Sequence, residues 1–373
     1  MEAHTLKRDR PREAVVPTRK KGNPITPEEE QRRKDTHAKL LAAWEKAMEE
    51  AKNKPPTDRY ALQAAEFREF WNDLWSEHFG RFEDATKIPS KRFTDHPAPP
   101  FTAFVYDTIQ TFSVRVAGVT GDLQWPLHVF GTVALRDAVD RNRNIIFNRE
   151  RSNCQTLTQE NPNLQLTGPT RAVVMLYPVT FEVELTVKGA RESEDKDLSY
   201  LAVPLIRPDL RESSLLIRAY TSKLSTLEFA HGHIFSSVEA TISVQVIGGS
   251  WHGYRSKFFA YTASVNEEVL LLDSGDEEVP VTYGGKIKLS RTVASVERKG
   301  QLKVFAKALH GDNFLLMKEK VFTPKEAGRS HGRLDVGFCK MKITVDWSLI
   351  TVDYNPKKNW KQGSYCPSRN GIL

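Results

Sequence analysis

This sequence has little that would suit it to oxidation, to crossing a bilayer or to cradling phosphate. Its 373 residues include only three cysteines, Cys154, Cys339 and Cys366, and these lie far apart. Neither a disulfide framework nor a pair with metal-ligand spacing can be written from them. Reduced thiols in an intracellular compartment are the expectation. No 18 uncharged apolar residues run together, and the first residues hold no apolar core of signal-peptide length. The chain is therefore expected to be soluble, non-secreted and without membrane contact, in the cytoplasm or the nucleus. A glycine-rich phosphate loop, a Gly-x-Ser-x-Gly elbow and a Cys/His nucleophile pair are all missing. No catalytic residue is proposed on this basis, and no cofactor or metal is expected.

The net charge of +7 is mild for this length, so it permits anionic partners without demanding them. Much of the excess sits in the first 21 residues, where Lys7, Arg8, Arg10, Arg12, Arg19, Lys20 and Lys21 outnumber Glu2, Asp9 and Glu13. Residues 1–25 read as a disordered basic tail. Lys7-Arg8 stands ten residues ahead of Arg19-Lys20-Lys21, the spacing of a two-part import signal and a candidate contact with nucleic acid.

A helical arm follows over 26–80. Thr26 is a good N-cap, Pro27 suits the first helical position, and Glu29 can complete a capping box. Leu40, Trp44 and Met48 make its apolar stripe, and "NKPP" at 53–56 stops it. A second helix over about 57–79 carries Tyr60, Phe67, Phe70, Trp71, Leu74 and Trp75, and Gly80 is its natural stop. That aromatic stripe must be covered by the body or by another chain. Residues 81–100 read as a linker ending in "HPAPPF".

Beyond it the hydrophobic period changes from 3.6 to 2. In "TFEVELTVKG", Phe181, Val183, Leu185 and Val187 alternate with Glu182, Glu184, Thr186 and Lys188. Further segments such as "TFSVRVAGV", "VEATISVQVIGG", "QLKVFAKAL" and "KMKITVDWSLI" repeat the pattern, with turn signals at "GVTGD", "DSGDEE" and "YGGK". Short strands without alternating helices predict an antiparallel β-sandwich over 101–352, a mainly β domain within an α+β chain. Residues 353–373 read as a flexible tail. Residues 168–189 echo 285–308, which fits either a body of two similar β units or the chance similarity of two alternating strands.

Five long phrases resemble one known family. They are "LRDAVDRNRNIIFNRERSNCQ", "LTGPTRAVVMLYPVTFEVELTVKG", "EDKDLS", "YTSKLSTLEFAHGHIFSSVEATISVQVIGGSW" and "FREFWNDLWSEHFGRFEDATKIPSKRFTDHP". The chain is similar over nearly everything after residue 65 to a grass (Poaceae) family catalogued as domain of unknown function 6598. The resemblance implies a plant intracellular protein and supplies no catalytic residues.

Several motifs invite chemistry. His231 and His233 with Glu239 resemble the His-x-His…Glu cluster of cupin barrels, although the gap to Glu239 is one residue too long. Glu326-Ala327-x-Arg329 has the letters of ribosome-inactivating N-glycosidases, but Pro324, Gly328 and Gly332 predict a loop in place of their helix. The acidic runs "ESEDKD" and "DSGDEE" sit at strand ends, as in calcium-binding sandwich domains, without Asp-x-Asp spacing. In "GGSWHGYR", Trp251, His252, Tyr254 and Arg255 are candidate contact residues at a turn, with Trp251 plugging the sandwich end as the alternative. The arginine-rich stretch 137–155 interleaves Asp137, Asp140 and Glu150 among Arg141, Arg143, Arg149 and Arg151. That mixture predicts internal pairing over a nucleic-acid grip, with Arg149 holding a carboxylate or carbonyl. The leading functional expectation is a non-enzymatic interaction or scaffold module with a protein partner. A small-molecule-binding or enzymatic sandwich is the alternative, and weak nucleic-acid binding through the tail is a second.

Overall fold

The alternation in β7 (Val179–Val187) shows why this chain makes sheets: Phe181, Val183 and Leu185 are buried while Glu184 between them is exposed. The computed structural model describes residues 56–351, apart from 101, 177, 207, 209, 210, 253, 263, 264, 276, 311 and 312. The expected first helix, both tails and Cys366 lie outside the described residues. Within them there is one α-helix, α1 (Pro56–Phe79), so a two-helix arm is not shown. It ends where Gly80 takes φ +99°, a left-handed conformation suited to glycine, and its N–H donates to the Ser76 carbonyl at 3.0 Å.

The strands before the midpoint are β1 (Ala103–Phe104), β2 (Tyr106–Val119), β3 (Leu127–Arg136), β4 (Asn144–Arg149), β5 (Gln155–Leu157) and β6 (Val173–Val174). After β7 come β8 (Lys196–Leu205), β9 (Ser214–Ser222) and the 25-residue β10 (Ser225–Gly249). The remainder are β11 (Arg255–Thr262), β12 (Val265–Asp273), β13 (Val293–Glu297), β14 (Leu302–His310), β15 (Asn313–Phe322), β16 (Ala327–Asp335), β17 (Cys339–Ser348) and β18 (Ile350–Thr351). All the ladders between these strands are antiparallel.

Their order repeats. In the first half one layer runs β6-β2-β10-β9 and the other β4-β3-β7-β8, with β5 added beside β3. In the second half one layer runs β13-β10-β17-β16 and the other β12-β11-β14-β15. Counting from β2 with the short β5 passed over, or from β10, gives the same pattern: strands four, one, eight and seven in one layer, three, two, five and six in the other. The long β10 serves both halves. Residues 225–233 lie between β2 and β9, whereas residues 239–241 lie between β13 and β17.

Each half has its own core. Val114, Leu127, Phe147, Phe181, Leu201 and Phe229 belong to the first, and Ile242, Phe258, Val269, Val304, Ile343 and Trp347 to the second. The echo between 168–189 and 285–308 falls on β6-β7 and β13-β14, the fourth and fifth strands of the two halves. Residues 81–100, expected as a linker, are stitched to the body instead. Phe82, Ile88 and Phe93 are buried, Thr86 N–H donates to the Arg143 carbonyl at 2.9 Å, and Phe93 N–H donates to Ser348 Oγ at 3.1 Å.

Candidate interaction surfaces

The stretch 137–155 is consumed by the fold. Arg143 Nε donates to Glu182 Oε1 at 2.9 Å, and Arg136 Nε donates to Glu182 Oε2 at 2.6 Å. Arg136 also donates to the Phe82 carbonyl at 2.6 Å and lies 4.1 Å over the Phe82 ring. Arg151 grips Asp195 through Nε at 2.8 Å and Nη2 at 3.0 Å. Arg149 holds amide carbonyl oxygens, one of the two expected kinds of partner. Its partners are the neutral side chains of Gln165 at 2.7 Å and Asn153 at 3.3 Å, so its loss would strand no carboxylate.

Deeper still, Arg171 forks onto Asp137 at 2.6 and 2.8 Å and reaches Asp140 at 3.1 Å. Burial works to raise the Asp137 carboxyl, but Arg171 and the amides of Val174 and Val139 overcome it and hold it below the usual range. For Asp140 burial wins, despite Arg171 and the Thr86 hydroxyl, and its carboxyl is raised. Arg291 occupies the matching place in the second half, two residues before β13 as Arg171 is before β6. Among the described residues no carboxylate pairs with it. It donates to the carbonyls of Gly168 and Thr111 at 2.7 Å each, and burial pulls its pKa down to about 10.

The histidine motif does not converge. His231 Nδ1 meets Thr111 Oγ1 at 3.1 Å, with its ring stacked on Phe229 and edge-on to Phe181. His233 Nε2 meets Asp107 Oδ2 at 3.1 Å, and Glu239 accepts the N–H groups of Lys91 and Ala172 at 2.9 and 2.7 Å. Among the described residues no three His, Cys, Asp or Glu side chains gather to hold a metal. Burial, with a smaller push from Arg218, drives His231 down to about 3. The sign follows from this: the folded pKa lies below the ordinary 6.5, so the unfolded chain takes up the proton first as pH falls. Stability is therefore lost from about pH 6.5 downward, reaching about 2 kcal/mol by pH 5. Urea unfolding of His231→Phe should lack that component, and equal pH slopes for the two proteins would contradict it.

The remaining motifs have separate partners. Glu326 pairs with Arg298 at 2.6 Å and Arg329 with Asp346 at 2.7 Å. The expected loop there is edge strand β16. Of the acidic runs, Asp195 is held by Arg151, Asp197 lies 3.2 Å from Lys223, and Asp273 lies 2.7 Å from Lys257. In the "GGSWHGYR" turn, Trp251 is buried against Phe258 and Phe338, and Tyr254 stacks on Phe338 at 3.8 Å. Arg255 donates to the Gly275 carbonyl. His252 alone of the four stands exposed, 2.8 Å from Glu278. Trp251 and His252 line a cavity of about 270 Å³ with Val246, Val279 and Val281. The candidate tail residues Lys7, Arg8, Arg19, Lys20 and Lys21 lie outside the described residues.

The two outer layers end differently. Along the β8 edge of the first, α1 lies against β8 and against β9 of the facing layer. Trp71 is 0 % exposed, donates Nε1–H to the Arg141 carbonyl at 2.9 Å, and packs edge-on to Phe82, itself under Arg136. On the second, Phe259 and Phe305 stack at 4.9 Å and Tyr261 meets Phe305 edge-on. On neighbouring β15, Leu315, Met317 and Val321 are 46 %, 47 % and 38 % exposed. Among the described residues no helix covers this face.

A family model described as "Domain of unknown function (DUF6598)" matches residues 108–345, from β2 to β17. The chain belongs to this family. The matched span takes in both halves, so the shared strand and both arginine positions lie within the DUF6598 domain, while α1 lies outside it. No curated protein matches. Among solved structures, the chain is similar to a calcium-bound, two-domain structure of Extended-Synaptotagmin 2. That match has 9% identity and a TM-score of 0.24, covering 68% of this chain and 100% of that one. It is also similar to "Human GIVD cytosolic phospholipase A2", at 8% identity and a TM-score of 0.22, over 69% of this chain and 31% of that one. Likenesses this slight carry no argument about the DUF6598 protein. No helix among its described residues is long and apolar enough to cross a membrane.

Proposed function

We propose that this DUF6598 protein is a non-enzymatic interaction module, two similar β-sandwich units fused through β10, that presents the second unit's outer face to a protein partner. The observation that carries the reading is the contrast between matching layers. One is closed by an amphipathic helix, and the other leaves Leu315, Met317 and Val321 in water beside Phe259, Tyr261 and Phe305. Apolar residues exposed along one strand in this way, with Glu319 between them and Lys307 and Lys303 opposite Met317 and Val321, mark contact sites. By analogy with α1, the occupant is an amphipathic helix of the partner. The separate ion pairs of the motif residues and the apolar cores support binding over catalysis. The resemblance to a grass family would place the module inside plant cells.

A photo-crosslinking residue at position 317 tests the reading. In plant extract it should give one discrete adduct with another protein, and Phe305→Glu should abolish it. An adduct within the chain, or one indifferent to Phe305→Glu, would contradict the proposal.

A further inference from the structure

A second face carries charge that the fold does not use. Arg333 of β16 stands directly opposite Lys342 of β17, Lys342 opposite Gln245 of β10, and Gln245 opposite Lys286. Leu334, Met341, Ile343, Val244 and Ile287 beside them are buried, so alternation turns this row outward. Like charges directly opposite one another weaken a sheet. The ion pairs on this face go elsewhere, Arg329 to Asp346 and Lys340 to Asp335 at 3.8 Å. Among the described ion pairs none takes Arg333, Lys342 or Lys286. The adjoining row, His331, Thr344 and Ser243, is polar and free of acids.

Apolar groups border the cations. The turn before Lys286 is closed by Gly285 N–H to the Thr282 carbonyl at 2.8 Å, and it lies on β10 through Val246 N–H to the Gly285 carbonyl at 2.7 Å. It leaves Tyr283 fully exposed, with Val281 and Ile247 also in solvent. A nucleic-acid backbone would satisfy the cations and give Val281 and Ile247 nothing. A bilayer interface takes both, with anionic headgroups for the cations and the acyl boundary for Tyr283, Val281 and Ile247. We propose that this face docks the protein on an anionic lipid membrane. The absence of a spanning run in the sequence does not bear on such peripheral docking, and the surface is distinct from the apolar outer layer.

Vesicle flotation of the full chain tests it, using phosphatidylcholine with and without phosphatidylserine. Wild-type protein should float only with phosphatidylserine. Arg333→Gln with Lys342→Gln should lower partitioning roughly 30-fold, about fivefold for each cation, at unchanged melting temperature. Tyr283→Ser should weaken binding further. If the double variant melts lower, Lys286→Gln carries the same test alone, with a loss of about fivefold. Three results would overturn the proposal. The first is no flotation of the wild type. The second is undiminished flotation of the cation variants, with loss only when Lys7, Arg8, Arg19, Lys20 and Lys21 are neutralised. The third is loss of duplex RNA binding in the double variant while vesicle binding stays intact.

Discussion

Arg171→Met should destabilise the protein by about 3–5 kcal/mol, because it leaves two buried carboxylates facing no cation. Asp137 has a side chain 0 % exposed and Asp140 one 4 % exposed, and both hold the same guanidinium. The pH dependence separates this cause from simple loss of packing. In the native protein Asp137 is held below its ordinary pKa, so its contribution is present above that value and is lost as pH falls through the folded pKa. Without Arg171, burial would raise both carboxyls, and their protonation as pH falls would relieve the strandedness. The deficit should therefore narrow in acid. Arg291→Met is the internal control. Arg291 has the matching position but only two carbonyl partners, and burial already disfavours its charge. Its replacement should cost about 1–3 kcal/mol, with no narrowing in acid. Urea titrations of both variants at two pH values decide the matter, and equal losses with equal pH behaviour would refute the ionic account.

Trp71→Ala should cost a further large amount, about 3–5 kcal/mol, as expected for truncating a buried aromatic. The indole is wholly buried, and it shelters the Arg136–Glu182–Arg143 network by closing α1 over the outer layer. Its removal should let water reach that network and lower the urea midpoint. Phe70 packs edge-on to Trp75, whose ring lies 4.7 Å from the Arg141 guanidinium, and Phe70 is only half-buried, so Phe70→Ala should cost much less. If both substitutions cost the same, α1 is held by its own stripe and not by the seat of Trp71.

The extent of α1 and the antiparallel strands were legible in the sequence because both depend on local period. Tyr60, Trp71 and Gly80 mark the helix, and Phe181, Val183 and Leu185 mark a strand, whatever lies elsewhere. Glu182 shows the limit of such reading. Alternation correctly turns it to the outer face, yet that face is covered, and two arginines 46 and 39 residues away neutralise it. Arg149 and Arg171 look alike in sequence, and only the fold gives one a pair of amides and the other a pair of carboxylates. The sharing of β10 was hidden as well, since "VEATISVQVIGG" reads as a strand of its own. The candidate surfaces were missed for a related reason. They draw on β15 and β16, edge strands whose mixed residues "NFLLMKEKVF" and "AGRSHGRLD" give a weak alternation, and the second also needs β17, β10 and the turn before Lys286 to be brought side by side. The best available signal was the spacing of Leu315, Met317 and Val321, which is apolar at positions that alternation turns toward solvent.

Among the described residues the second unit's outer layer stands open, whereas α1 packs on the first. Methionines in the described body provide the test, because Met175 and Met341 are 0 % exposed and Met317 is 47 % exposed. Hydroxyl-radical footprinting of the purified full chain, read at the peptide level, compares the three in one sample. The account expects rapid oxidation of Met317 and strong protection of Met175 and Met341. Protection of Met317 equal to that of Met341 would show the face already covered, and would contradict the account.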